Sequence, residues 1–139
     1  MPKRNGFTLM EMILVVVIIG LLAALVLPRV VGWGEKARQT ATAAQVSSFK
    51  TALSAFERAC GRYPTTAEGL RALVERPPGL PEGTEWERFL EESTLPKDPW
   101  GRDYVYRCPG SVNTDGYDLF SLGPDGQENT DDDIGNTRR

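Results

Sequence analysis

The sequence predicts an α+β fold: a long N-terminal helix packed on a small antiparallel sheet head that closes in an acidic loop. Three observations predict it. An apolar run fills residues 12–27, an amphipathic stripe at helical spacing follows, and beyond it Gly/Pro-rich loops separate short segments rich in aromatic and β-branched residues. With 139 residues there is room for one small core beside the apolar run. A formal net charge of -3 argues against a basic nucleic-acid-binding face, and the absence of histidine excludes imidazole chemistry and C-x-x-C-H haem attachment.

From Met12 to Leu27 every residue is apolar or glycine, and with Phe7 to Met10 the run approaches the roughly 20 residues of a membrane-spanning helix. Met1 to Gly6, with Lys3 and Arg4, precede it like the basic start of a secretory signal. A cleaved signal, however, has a shorter apolar region and a small-x-small cleavage site. Here the run continues past Leu22, Ala23 and Ala24 to Pro28. Glu11 inside it would cost about 2.5–3.5 kcal/mol deep in a bilayer, so the carboxylate needs a partner or must reach the headgroups. Gly20 and Pro28 punctuate the helix. Pro28 lacks an N–H and clashes with the Ala24 carbonyl, so a kink or unwound turn is expected between them.

Val46, Phe49, Leu53, Phe56 and Cys60 then form one stripe of a helix that Gly61 ends. Thr65-x-x-Glu68 reads as a capping box opening a short helix through Leu70, Leu73 and Val74. Thr84-x-x-Glu87 reads as a second, carrying Trp86, Phe89 and Leu90. Between them Pro77, Pro78, Gly79, Pro81 and Gly83 enforce a loop. Tyr104–Cys108 and Tyr117–Ser121 read as strands of an antiparallel hairpin joined through Pro109–Gly116.

Gly6, Phe7, Thr8, Leu9, Met10 and Glu11 read G-F-T-L-M-E, which closely resembles the class III signal of type IV pilins and type II secretion pseudopilins. G-R-Y-P-T-T-x-E-G-L at Gly61–Leu70, L-P-K-D-P-W-G at Leu95–Gly101, F-S-L-G-P-D-G at Phe120–Gly126 and D-D-I-G-N at Asp132–Asn136 extend the likeness to nearly the whole chain, and resemble the major pseudopilin family. The resemblance implies a type IV pilin-like fold with leader 1–6, membrane or filament-core helix 7–28, and periplasmic head 29–139. It implies cleavage by a prepilin peptidase between Gly6 and Phe7 and methylation of Phe7. Glu11 would then pair with the Phe7 ammonium of a neighbouring subunit, so that neither charge is buried alone. The helix between Gly20 and Pro28 would extend on assembly.

Two departures from the family pattern stand out: a tail ending N-T-R-R, and Cys60 with Cys108. In a head placed on the oxidising side of the membrane the two cysteines have only each other to pair with, which suggests a Cys60–Cys108 disulfide. Two free thiols are the alternative.

From Asp115 onward Asp115, Asp118, Asp125, Glu128, Asp131, Asp132 and Asp133 face only Arg138 and Arg139. A solvated acidic tail is one reading. Hard oxygen ligands beside Gly123, Pro124 and Gly126 suit calcium instead, although the EF-hand spacing is absent. The resemblance implies a calcium loop with side-chain ligands Asp125, Asp132 and Asp133 and backbone oxygens of Leu122 and Gln127, Asp131 staying solvated.

The function implied is structural: an inner-membrane, single-pass subunit that forms a homopolymer, the periplasmic pseudopilus. Its implied partners are minor pseudopilins, the inner-membrane assembly platform, the secretion ATPase system and the prepilin peptidase, with no nucleic acid. The chain has no P-loop, and no serine or cysteine has a histidine partner. The alternatives are a pilin-like subunit of a surface or DNA-uptake filament, and a monomeric membrane-anchored calcium sensor that keeps its leader.

Overall fold

The structure, a computed structural model, describes the backbone of residues 7–137 and the side chains of 7–24 and 34–137. The chain divides into two compact units, one ending at Ala37 and one beginning at Arg38.

Helix α1 spans Leu9–Cys60, 52 residues. Thr8 caps it, its hydroxyl accepting the Glu11 N–H at 3.2 Å. At the other end Gly61 takes a φ of +73° and donates its N–H to the Glu57 carbonyl at 2.7 Å. The helix is unbroken through Gly20 and Pro28, so the unwound turn expected there is not formed in the single chain. Pro28 forfeits one hydrogen bond, while the leucine- and alanine-rich residues before it are good helix formers that keep theirs.

Among the described side chains of the first unit the apolar ones lie open: Phe7 is 76% exposed, Leu9 79%, and even Val15 45%. Among the described residues no helix is long and apolar enough to cross a membrane. Within the apolar run the described side chains end at Ala24, whereas the run itself continues to Leu27.

In the second unit the expected stripe is the core. Val46, Phe49, Leu53 and Phe56 are buried against Leu73, Tyr104, Tyr106 and Leu119, with Cys60 at the edge. Phe49 meets Tyr104 edge-on at 5.1 Å between ring centroids. Thr42 joins the same face, fully buried, its hydroxyl donating to the Arg38 carbonyl at 2.9 Å.

Strands β1 (Val105–Arg107), β2 (Asp118–Ser121) and β3 (Ile134–Gly135) form one antiparallel sheet in that order. Val105 faces Phe120, and Phe120 faces Gly135. The hairpin matches the expectation; β3 was not expected.

The first capping box forms in both directions: the Thr65 N–H reaches Glu68 Oε2 at 2.7 Å and the Glu68 N–H reaches Thr65 Oγ1 at 3.3 Å. It precedes a single 3₁₀ helix, Gly69–Leu73, shorter than expected. The helix expected from Thr84 does not form. Its residues are claimed by tertiary contacts instead: the Trp86 indole N–H donates to the Ala72 carbonyl and the Phe89 N–H to that of Leu73. Arg76 holds the carbonyls of Pro81 and Thr84.

Arg62 grips Glu68 with both guanidinium nitrogens at 2.7 and 2.8 Å. That hydrogen bonding, with the Thr65 N–H, lowers the Glu68 carboxyl from 4.5 to about 2. A depressed folded pKa stabilises the head above the unfolded value and loses that stability as pH falls towards 2. We expect the acid limb between pH 4.5 and 2 to flatten in Glu68→Gln. Because Arg62 is partly solvent-screened, the loss at neutral pH should be only about 1–2 kcal/mol. Urea unfolding across pH checks this; an identical acid limb in both proteins would refute it.

Candidate functional site

The D-P-W-G segment and the C-terminal loop are built on one carboxylate. Asp98, 4% exposed, accepts the N–H groups of Trp100 at 3.1 Å and Arg102 at 2.7 Å on Oδ1, and the Ser121 hydroxyl at 2.7 Å on Oδ2. Ser121 Oγ in turn accepts the Gly123 N–H at 3.2 Å. The Arg102 guanidinium donates to the carbonyls of Gly123 and Pro124. Gly126 closes the turn, its N–H on the Leu122 carbonyl at 3.2 Å. Gly123, at φ +62°, backs onto the Asp132 carbonyl so closely that a Cβ would collide with it.

Asp118, counted in the sequence with the acidic run, lies buried in β2 at 1% exposure. Burial raises its carboxyl. N–H groups of Ser111, Val112 and Asn113 and the Asn113 side-chain amide, at 2.6 to 3.0 Å, outweigh burial and hold it below its ordinary value. Asn136 works as a piece of strand. Its Oδ1 accepts the Leu119 N–H at 2.6 Å and its Nδ2 donates to the Tyr117 carbonyl at 2.7 Å, tying the chain after β3 to β2. Asp98, Arg102, Ser121 and the side chain of Asn136 were given no role by sequence reasoning. The D-P-W-G turn signature could have flagged Asp98 as a side chain that binds backbone N–H groups two and four residues on.

Of the three expected calcium side chains, Asp133 is buried at 8% exposure while Asp125 and Asp132 are exposed, as is Asp131. Asp133 Oδ2 accepts the N–H groups of Asn129 at 2.7 Å and Thr130 at 3.3 Å. Its Oδ1 is buried with no hydrogen-bond partner. Asp125 Oδ1 accepts the Gln127 N–H at 2.9 Å, Gln127's carbonyl takes the Thr130 hydroxyl at 3.4 Å, and Leu122's carbonyl is the one bound by Gly126. Among the described residues no group of three acidic side chains is placed to hold a metal ion. Asp125 and Asp133 each spend one carboxylate oxygen on N–H groups of their own loop. The orphaned Asp133 oxygen is the feature that fits a cation.

Cys60 and Cys108 are free thiols, both half-buried, so the expected disulfide is not formed in this structure. Burial raises the Cys60 thiol above its ordinary value. The Cys108 backbone is fixed on both sides by Thr66, whose Oγ1 accepts the Cys108 N–H at 2.9 Å and donates to its carbonyl at 3.0 Å. At the other end of the chain, Phe7 and Glu11 are exposed and Gly6 lies outside the described residues.

The comparisons with known proteins agree with one another. The model of type II secretion system protein G matches residues 29–137, and that of the prokaryotic N-terminal methylation motif matches 1–27. The type II secretion system core protein G of Vibrio cholerae is 44% identical over 139 residues, 98% of this chain and 93% of that protein. That of Aeromonas hydrophila is 42% identical over 134 residues, covering 96% and 92%. The crystal structure of the major pseudopilin from the type 2 secretion system of enterohaemorrhagic Escherichia coli superposes with a TM-score of 0.63 at 40% identity, covering 76% of this chain and 87% of that one. With a type IV pilin-like long helix and small antiparallel sheet, the chain belongs to the type II secretion system protein G family: it is a structural pseudopilus subunit and not an enzyme.

Proposed function

We propose that the chain is a prepilin cut between Gly6 and Phe7 and methylated on Phe7. It is then held in the bacterial inner membrane by its single apolar helix, with the head in the periplasm, until it polymerises. The observation that carries this reading is the uncovered apolar surface: the side chains of Phe7, Leu9 and Met10 are more than three-quarters exposed, and those out to Leu22 lie open with them. At about 25 cal/mol per Å², such a surface drives the segment into lipid or against other copies. Glu11 is the assembly residue, its carboxylate facing the Phe7 ammonium of the next subunit. The minor pseudopilins, the inner-membrane platform and the secretion ATPase supply the filament's start, its base and its energy. Intact mass of the membrane-isolated protein tests the first step. In cells with an active prepilin peptidase the chain should lack Met1–Gly6 and carry one added methyl group; a full-length mass removes the reading.

Calcium is proposed as the cofactor of the C-terminal loop, supported by the unpartnered Asp133 oxygen and by the chemistry of an all-oxygen donor set. Asp125, Asp132 and Asp133 would hold the ion with carbonyls of Leu122 and Gln127, and it would neutralise carboxylates that otherwise repel. A ligand at 100 times its Kd stabilises by about 2.7 kcal/mol. The thermal midpoint should therefore rise by about 10 °C or more from EDTA to saturating calcium. Asp132→Ala should lose that rise and Asp131→Ala should keep it. A midpoint indifferent to calcium would make the loop a solvated acidic tail.

A further inference from the structure

The loop that follows β2 carries Asp125, Glu128, Asp131, Asp132 and Asp133, yet it is folded into closed turns. Glu128 is paired with Arg107 at 2.8 Å, which leaves the turn at 122–126 to be held by something else. Two arms reach it from Asp98. One runs through the Ser121 hydroxyl to the N–H of Gly123; the other runs through Arg102 to the carbonyls of Gly123 and Pro124. Gly123 is thus gripped on both of its backbone polar groups from a single buried carboxylate. Arg102 also lies flat against Gly126: a Cβ there would fall 2.7 Å from the guanidinium carbon. The planar guanidinium sets its two terminal nitrogens toward successive carbonyls, that of Gly123 at 2.5 Å and, more loosely, that of Pro124 at 3.5 Å.

We propose that Arg102 is the loop's built-in cation, a positioning residue that keeps the 122–126 turn closed. It acts on the acidic loop as a monovalent counter-charge delivered by the chain itself, through carbonyls rather than carboxylates. The proposal is independent of whether the loop also takes calcium, because EDTA removes any ion from its test.

Amide hydrogen exchange of the detergent-solubilised full chain in EDTA tests it. In Arg102→Ala the Gly126 N–H, bonded to Leu122, should exchange roughly tenfold faster or more, while β2 amides keep their protection. Arg102→Lys, which keeps the charge and reaches one carbonyl, should restore part of the difference. Unchanged Gly126 exchange would overturn the proposal, and so would equal acceleration throughout β2, since Arg102 would then support the whole head rather than the turn. A second measurement uses Gly126→Ala, which places a methyl group against the guanidinium. Its destabilisation should be smaller in the Arg102→Ala background than in the parent; strictly additive effects would show that the two residues do not meet.

Discussion

Glu11→Leu should insert into the membrane at least as well as the parent and yet lose nearly all filament. Removing an acid from an apolar segment relieves an insertion cost of about 2.5–3.5 kcal/mol. In the proposed filament the same change would strip the counter-charge from a buried Phe7 ammonium, a loss of roughly 3–5 kcal/mol. That difference is more than about a hundredfold in an association equilibrium, repeated at every joint of a polymer. The two effects have opposite signs, so a membrane-fractionation assay and a sheared-filament assay on the same cells separate them. The competing reading of Glu11 is also visible: it lies in the first turn of α1 beneath the Thr8 cap, where a negative charge favours the helix. If that were its whole role, Glu11→Gln and Glu11→Leu would polymerise at wild-type yield.

Asp98→Ala should strongly destabilise the head. It deletes the acceptor of two part-buried backbone N–H groups and one buried hydroxyl at a position 4% exposed. Each stranded donor costs about 1–3 kcal/mol, and together we expect about 3–5 kcal/mol. For a head of this size that lowers the thermal midpoint by about 15 °C or more. Asp98→Asn keeps one acceptor and should recover part of it. Asp103→Ala removes a carboxylate 85% exposed and paired to Lys97 at 3.7 Å, and should cost less than about 0.5 kcal/mol. Similar melting of the two alanine variants would contradict the network described.

What the sequence made legible was what repeats locally. Val46, Phe49, Leu53 and Phe56 announce a helix face through spacing alone, and they form the core. Thr65 and Glu68 announce their capping box because both partners lie within one turn. The strands 105–107 and 118–121 were readable from composition and the turn between them. Strand β3 was not, because two residues, Ile134 and Gly135, show no alternation, and acids on their N-terminal side pull the eye to charge. The false helix at Thr84 had a correct local signal that tertiary contacts overrode when Trp86 and Phe89 found carbonyls on the 3₁₀ helix. The Asp98–Ser121 bond joins residues 23 apart and has no local signature. Charge counting also misassigned Asp118, whose partners are N–H groups rather than ions.

The sheet has two open edges, and both are stubs: β1 has three residues and β3 two. An exposed strand recruits another chain by offering a row of unpaired N–H and C=O groups, and rows this short offer too few to hold a foreign strand. The head is thereby protected from amyloid-like stacking through its sheet. The stickiness of this molecule is concentrated in the helical segment at the other end of the chain, where it acts only when another copy or a lipid layer is there to meet it.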